Sequence, residues 1–240
     1  TFVRERLCRP LGMAATGFDP QDVPADRRAE GYRVAADGTR VPEPLVSPGA
    51  YSAMGGLLSS VRDLATWIGG FTDAWTDVAT PHPVDRWSRR EAQEMARFIA
   101  VEPLPEGGSV AVGYGYGLQA QQHSVLGRIV AHSGGYPGFG SHMRWHPASG
   151  WGVVALGNST YAPVHVPVAE ALSRIVTMTG AAHGASPAMV VEPWPQTIAA
   201  MAVAERLLAG DDSGVDDATW SPNMDLDVPR AERLAQLTGI

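Results

Sequence analysis

The residues best able to do chemistry lie together in Ala131-His132-Ser133-Gly134-Gly135-Tyr136-Pro137-Gly138-Phe139-Gly140. An imidazole, a hydroxyl and unhindered glycine backbone in succession suit the transfer of an acyl group, and three readings compete. A nucleophile elbow of the Ala-x-Ser-x-Gly type would make Ser133 the attacking group, but an elbow needs a helix straight after its serine. Gly134, Gly135, Pro137, Gly138 and Gly140 follow instead, and such a run starts no helix. The bland reading is a glycine-rich strand end with a structural histidine. The third explains more of the residues. A strand ending in a polar residue, a hydroxyl and two glycines offers open N–H and C=O groups, against which an extended acyl substrate can lie as an added strand. The N–H of Gly135 can then point at a developing oxyanion.

Other chemistries fail on residue type or spacing. All 18 basic residues are arginine. Without lysine there is no Schiff base, no phosphate-binding Lys loop and no Ser-x-x-Lys nucleophile in this chain. His142 and His146 share one face of a strand about 13 Å apart at ~3.3 Å per residue, too far for one metal at bonds of about 2 Å. Asp211, Asp212, Asp216 and Asp217 lack the spacing of a calcium loop and read as a solvated acidic connection. The single cysteine, Cys8, cannot form an internal disulfide and leaves the compartment open.

The elements that must position these residues follow from periodicity. Phe2, Val3, Arg6 and Leu7 have helical spacing, stopped by Pro10-Leu11-Gly12. Nothing caps the front of that helix, so the chain is expected to be the C-terminal portion of a longer protein. Asp19 to Pro48 reads as irregular, with a hairpin near Gly31 to Val41. Ser60 with Asp63 caps an amphipathic helix through Val61, Leu64, Ala65, Ile68 and Phe71, which Gly69-Gly70 should end. A second helix is expected over Ser88 to Val101. Strands are expected at Tyr114 to Leu118, at Arg128 to His132 and through Met143 and Trp145. A turn at Pro147 to Gly150 leads to a return strand, Trp151 to Leu156. A helix from Pro167 to Met178, with Val168, Leu172 and Ile175 inward, can cover the sheet. The fold class is therefore α+β, an antiparallel sheet flanked by helices. Residues 181–240 read as a linker and helical tail, Gln196 to Ala209 and Arg230 to Leu237, distinct from 1–180.

The 240 residues are 45% hydrophobic, enough for a sizeable core. The net charge of -7, with no basic run, excludes non-specific nucleic-acid binding as a function class. The start of the chain is not a signal peptide, and Trp151 to Leu156, among the longest apolar runs, is too short to span a bilayer.

Four stretches in this order resemble the serine β-lactamase and penicillin-binding-protein superfamily. Arg6-Leu7-Cys8-Arg9-Pro10-Leu11-Gly12-Met13 resembles its Arg-Leu-x-x-Pro-Leu-Gly-Met segment. Gly55-Gly56-Leu57-Leu58-Ser59-Ser60-Val61-Arg62-Asp63-Leu64 resembles its Gly-Gly-Leu-x-Ser-x-x-x-Asp-Leu helix. Gly113-Tyr114-Gly115-Tyr116-Gly117-Leu118 resembles the strand before its third motif. His132-Ser133-Gly134-Gly135 resembles the third motif itself, Lys-Thr-Gly, in a His-x-Gly form. The resemblance spans Phe2 to about Met178. It implies acyl transfer through an acyl-enzyme, with His132 catalytic in the place of the lysine, Ser133 and Gly134 binding substrate, and Gly135 donating to the oxyanion. A histidine, with an ordinary pKa of about 6.5, is only partly charged at neutral pH. The His-x-Gly form resembles the esterase and D-amino-acid peptidase branches, which implies a small ester, amide or peptide-like substrate and neither cofactor nor metal.

The family's Ser-x-x-Lys nucleophile and Tyr-x-Asn shuttle precede the Pro-Leu-Gly-Met segment. Tyr51-Ser52-Ala53 is no substitute, since it follows Met13 and ends in alanine. An upstream part of the same polypeptide is thus needed to complete the site, and this chain alone is expected to be inactive. The alternative is a non-catalytic, penicillin-recognising binding module. The enzyme reading predicts that Arg128 to His132 borders an open groove, with exposed apolar side chains nearby.

Overall fold

The structure, a computed structural model, describes residues 2–45, 49–76, 80–105, 107–181, 195–211, 213, 215 and 229–237. Two compact units divide it, Thr1–Ser186 and Pro187–Ile240. The first is α+β, as the sequence implies. Its centre is a six-stranded antiparallel meander of β3 (Arg97–Pro103), β4 (Ser109–Tyr114), β5 (Gln119–His123), β6 (Gly127–Tyr136), β7 (Phe139–His146) and β8 (Trp151–Gly157), in that spatial order. A small hairpin, β1 (Gly31–Val34) with β2 (Arg40–Glu43), forms a separate sheet that touches the end of the meander through Tyr32, whose N–H donates to Asn158 O at 3.1 Å.

The alternation along β6 explains the layers. Val130 faces Ile68 and Phe71 of helix α1 (Val61–Asp73), together with Leu118 and Trp145. Its neighbour Ile129 faces the other way, onto Leu126 and onto Leu172 and Val176 of helix α3 (His165–Met178). Each helix thus covers one face of the sheet.

Helix α1 starts as expected, the Ser60 hydroxyl accepting from Asp63 N–H at 3.2 Å. The Asp63 carboxylate turns elsewhere: it accepts from Thr16 Oγ1 at 2.7 Å and Ala15 N–H at 2.9 Å, tying the segment after the first helix to α1. That first helix is wound with wide π spacing over Arg4–Cys8, Arg9 N–H reaching Arg4 O. The glycines do not end α1, which runs on to Asp73. A Cβ on Gly70 would lie 2.5 Å from His82 Nε2, so the glycine is there to let the following chain pack close.

The expected second helix is shorter. Helix α2 (Arg86–Ala92) begins at Asp85, which accepts from Ser88 N–H at 3.0 Å. It ends where Gln93 turns inward, donating to Phe71 O at 3.1 Å and Arg89 O at 2.9 Å and accepting from Trp145 Nε1 at 2.9 Å. Arg97–Pro103 is a strand instead, because β-forming Phe98, Ile99 and Val101 find a ladder on β4. The expected strand Tyr114 to Leu118 is mostly the turn joining β4 to β5, with Gly115 N–H on Leu118 O and Gly117 at φ +74°. Helix α3 begins two residues early and buries Val168, Leu172 and Val176, so Val176 stands where Ile175 was expected.

The second unit contains helices α4 (Pro195–Leu208) and α5 (Arg230–Leu237). The expected linker over 182–194 and Asp212, Asp216 and Asp217 lie outside the described residues. Among the described residues, no helix is long and apolar enough to cross a membrane.

Candidate active site

Strand β6 outruns its neighbour. Its last partner on β5 is Ala131, opposite Gln119, whereas on β7 the pairing continues to Tyr136 opposite Phe139. Residues 132–136 therefore present an open edge on the β5 side, where alternate residues point N–H and C=O groups outward. Ser133, Gly134 and Gly135 are exposed, as an accessible groove requires.

The four predicted residues divide between two faces. His132 points to the α1 side, where its Nε2 lies 3.0 Å from Tyr114 Oη. Tyr114 is the last residue of β4, opposite Gln119, which is itself opposite Ala131, the neighbour of His132 on β6. Gly134 shares that face, and a Cβ on it would overlap Ser141 Oγ. Ser133 and Gly135 point to the α3 side. Ser133 Oγ is 2.7 Å from Nδ1 of His142, its directly opposed partner on β7. Gly135 lies beneath the ring of Tyr161, which a Cβ there would overlap. Tyr161 holds φ at +52°, uncommon for a residue with a side chain. Ser133, Gly134, Gly135, Ser141, Tyr161 and His165 line a cavity of about 190 Å³.

A larger cavity, about 720 Å³, lies between the first helix and the chain around Asp19 and Arg28, and β6 contributes nothing to its walls. Ser133 and His165 line the smaller one. Phe2, Leu57 and Val61, apolar residues of the first helix and the Gly55 to Phe71 segment, are exposed.

Electrostatically the α3 side is a cluster of bases. His142 is 6% exposed. Burial, then Arg144, His165 and His132, push its pKa down to about 4, so it is neutral at pH 7. Burial lowers Arg144 to about 10, and its Nη2 donates to Gln121 Oε1 at 2.7 Å. His146, expected to share a face with His142, is buried and its Nδ1 meets Ser149 Oγ at 2.8 Å. Among the described residues no group of three His, Cys, Asp or Glu is placed to hold a metal ion.

A family model described as Beta-lactamase matches residues 1–177. The chain belongs to the beta-lactamase family. This beta-lactamase-family chain is similar in fold to the octameric penicillin-binding protein homologue from Pyrococcus abyssi, with TM-score 0.60 and 24% identity over 75% of this chain and 37% of that one. It is also similar to a D-stereospecific amidohydrolase from Streptomyces sp., with TM-score 0.54 and 22% identity over 71% of this chain and 46% of that one. At the sequence level it is 29% identical over 163 residues to the Unguisins hydrolase ungD' of Aspergillus campestris, covering 66% of this chain and 28% of the relative. The chain thus spans about a quarter to a half of the length of these proteins.

Sequence reasoning did not place Tyr114, His142, Tyr161 or His165 at the site. Tyr114 was legible in hindsight only through the meander: two consecutive ladders, β4 with β5 and β5 with β6, bring it beside His132. His142 was signalled by being buried-strand polar, and it was read as half of a rejected metal pair. Nothing in sequence marks Tyr161.

Proposed function

We propose that this chain is the third-motif half of a serine hydrolase that transfers acyl groups from small esters, amides or peptide-like substrates to water. The observation that carries the reading is the open edge of β6, with His132, Ser133, Gly134 and Gly135 along it, inside the segment that matches the family. The names of two relatives, a hydrolase and an amidohydrolase, support the substrate class.

A serine activated by a lysine would come from elsewhere in the polypeptide, because this chain has no lysine. The substrate acyl chain would lie along residues 132–136 as an added strand. His132, held by Tyr114, would place a hydrogen-bonding imidazole near the leaving group or the shuttle. Ser133 and Gly134 would contact substrate, and Gly135 N–H would meet the oxyanion.

The isolated chain is expected to turn over neither a chromogenic ester nor a chromogenic β-lactam, and to form no adduct with a serine-reactive phosphonate. In a longer polypeptide that includes an upstream Ser-x-x-Lys, His132→Ala should lower acyl transfer by about 10²–10³ in kcat. Full activity of that variant across pH 5 to 9 would make His132 structural. A longer polypeptide that binds a β-lactam without turnover would be a binding module instead.

A further inference from the structure

The bond between Ser133 and His142 has two possible polarities, and they assign Ser133 different chemistry. Either the serine gives its proton to Nδ1, in which case it is poised as a nucleophile or presents lone pairs to substrate, or Nδ1–H donates to the serine and the hydroxyl proton is free. We propose that His142 is a positioning residue, a neutral imidazole protonated on Nδ1, which fixes Ser133 as a hydrogen-bond donor to a carbonyl or carboxylate oxygen of the substrate. The inference rests on the proposed function for its substrate and on the present geometry for its polarity.

The first argument is the other ring nitrogen. His142 Nε2 is buried and has no hydrogen-bond partner among the described residues. A neutral imidazole carries one proton. Placed on Nε2, it leaves a buried N–H donor unpaired, which folded proteins almost never tolerate. Placed on Nδ1, it leaves only a bare lone pair at Nε2 and gives the N–H a partner 2.7 Å away in Ser133 Oγ.

The second argument is charge. The groups whose charge bears on His142 are Arg144 from its own strand, His165 from α3 and, from the opposite face of β6, His132, all bases, and no carboxylate is among them. His165 lies with its ring centroid 6.3 Å from that of His142. An imidazolium formed by taking the Ser133 proton would have burial and these neighbours against it. The geometry of a serine–histidine dyad is present, but the surroundings withhold the base strength that would make Ser133 a nucleophile.

The third argument is direction. Ser133 and His142 are a directly opposed pair on one face of the sheet, so the hydrogen bond forms without bending either strand. With one lone pair of Oγ occupied by Nδ1–H, the hydroxyl proton turns to the cavity lined by Gly134, Gly135, Tyr161 and His165. A donor aimed into a cavity calls for an acceptor, which the carbonyl or carboxylate oxygen of an acyl substrate supplies.

The test reads the tautomer directly. In the present chain, labelled with ¹⁵N-histidine, long-range ¹H–¹⁵N spectra distinguish protonated Nδ1 from protonated Nε2, and His142→Gln identifies the His142 signals. The expected result is a proton on Nδ1 and a ring that stays neutral from pH 8 to pH 5. A proton on Nε2, or titration near pH 6.5, overturns the inference. So does a phosphonate adduct on Ser133, because it needs His142 as base. In an active longer polypeptide, His142→Leu should raise KM about tenfold with little change in kcat, and His142→Gln, whose amide can still donate to Ser133, should recover most of that loss. Equal damage in both variants, or damage confined to kcat, also overturns it. If the tautomer is as stated but the longer polypeptide hydrolyses nothing, the proposed function falls and the assignment of His142 stands.

Discussion

At the scale of single residues, the site depends on what is not there. Gly135 has no Cβ, and the Tyr161 ring occupies the space one would need. Gly135→Ala must therefore push Tyr161 aside, and overpacking of this kind costs about 1–3 kcal/mol. Urea unfolding of Gly135→Ala, Tyr161→Ala and the double variant should be strongly non-additive, the double variant recovering most of the loss. Additive losses would mean that the two residues do not constrain each other. The buried imidazole makes a second prediction. His142 is held to about 4 when folded and titrates near its ordinary value of 6.5 when unfolded. Its contribution is thus fully present above pH 6.5 and is lost as pH falls from there towards 4, because the unfolded chain takes up a proton that the folded one refuses. The loss amounts to at most about 3 kcal/mol. His146, lowered by the same cause, acts in the same direction. His142→Gln should flatten the dependence of unfolding free energy on pH over that interval, and an unchanged slope would remove His142 as its source.

Between elements, Gln93 is the joint. It is fully buried, ends α2, and connects the carbonyl of Phe71 on α1 to the indole of Trp145 on β7. Gln93→Leu keeps the volume but takes the side-chain donor from two carbonyls, Phe71 O and Arg89 O, and strands an indole N–H, and each unpaired buried group costs about 1–3 kcal/mol. Thermal and urea unfolding should show a loss of about 2–4 kcal/mol, less in a Trp145→Phe background, where the indole N–H is already gone. This joint was not legible in the sequence, and the reason is general for this chain. Periodicity located α1 and α3, because each buries one face against the sheet, and the β7–β8 hairpin, because its strands flank a short turn. It misplaced the end of α1, the length of α2 and the position of β3 and β4. Those are decided by Gly70 beneath His82, by Gln93 reaching three partners and by a ladder formed at long range. The site divided in the same way. His132, Ser133, Gly134 and Gly135 are contiguous and could be read as a unit. Their assignment to opposite faces, and the meeting with Tyr114 and His142, follow from register, which no local pattern encodes.

Across the whole first unit, the order of the sheet is the order of the chain: β3 to β8 pair only with their sequence neighbours. Loop closure is therefore short at every step, and the ladder is rich in local contacts, which favours rapid assembly. The tightest closure is between β6 and β7, where Pro137 and Gly138 alone separate Tyr136 from Phe139 and Gly138 takes φ +85°. Gly31 on β1 packs over that tip, its Cβ position 2.9 Å from Gly138 Cα. The residues proposed to meet substrate thus sit on the hairpin whose ends are easiest to bring together, and a hairpin closes in about 1–10 μs. In pulse-labelled hydrogen exchange during refolding, the paired amides of Gly134 to Ser141 should gain protection before those of β3, whose outer edge has no strand beside it among the described residues. Simultaneous protection of both would mean that the sheet forms in one concerted step. The time order matters for the chemistry. A binding edge that is shaped by its own turn, ahead of the helices that later cover the sheet, inherits its spacing from the shortest piece of chain in the fold and is correspondingly insensitive to errors made elsewhere.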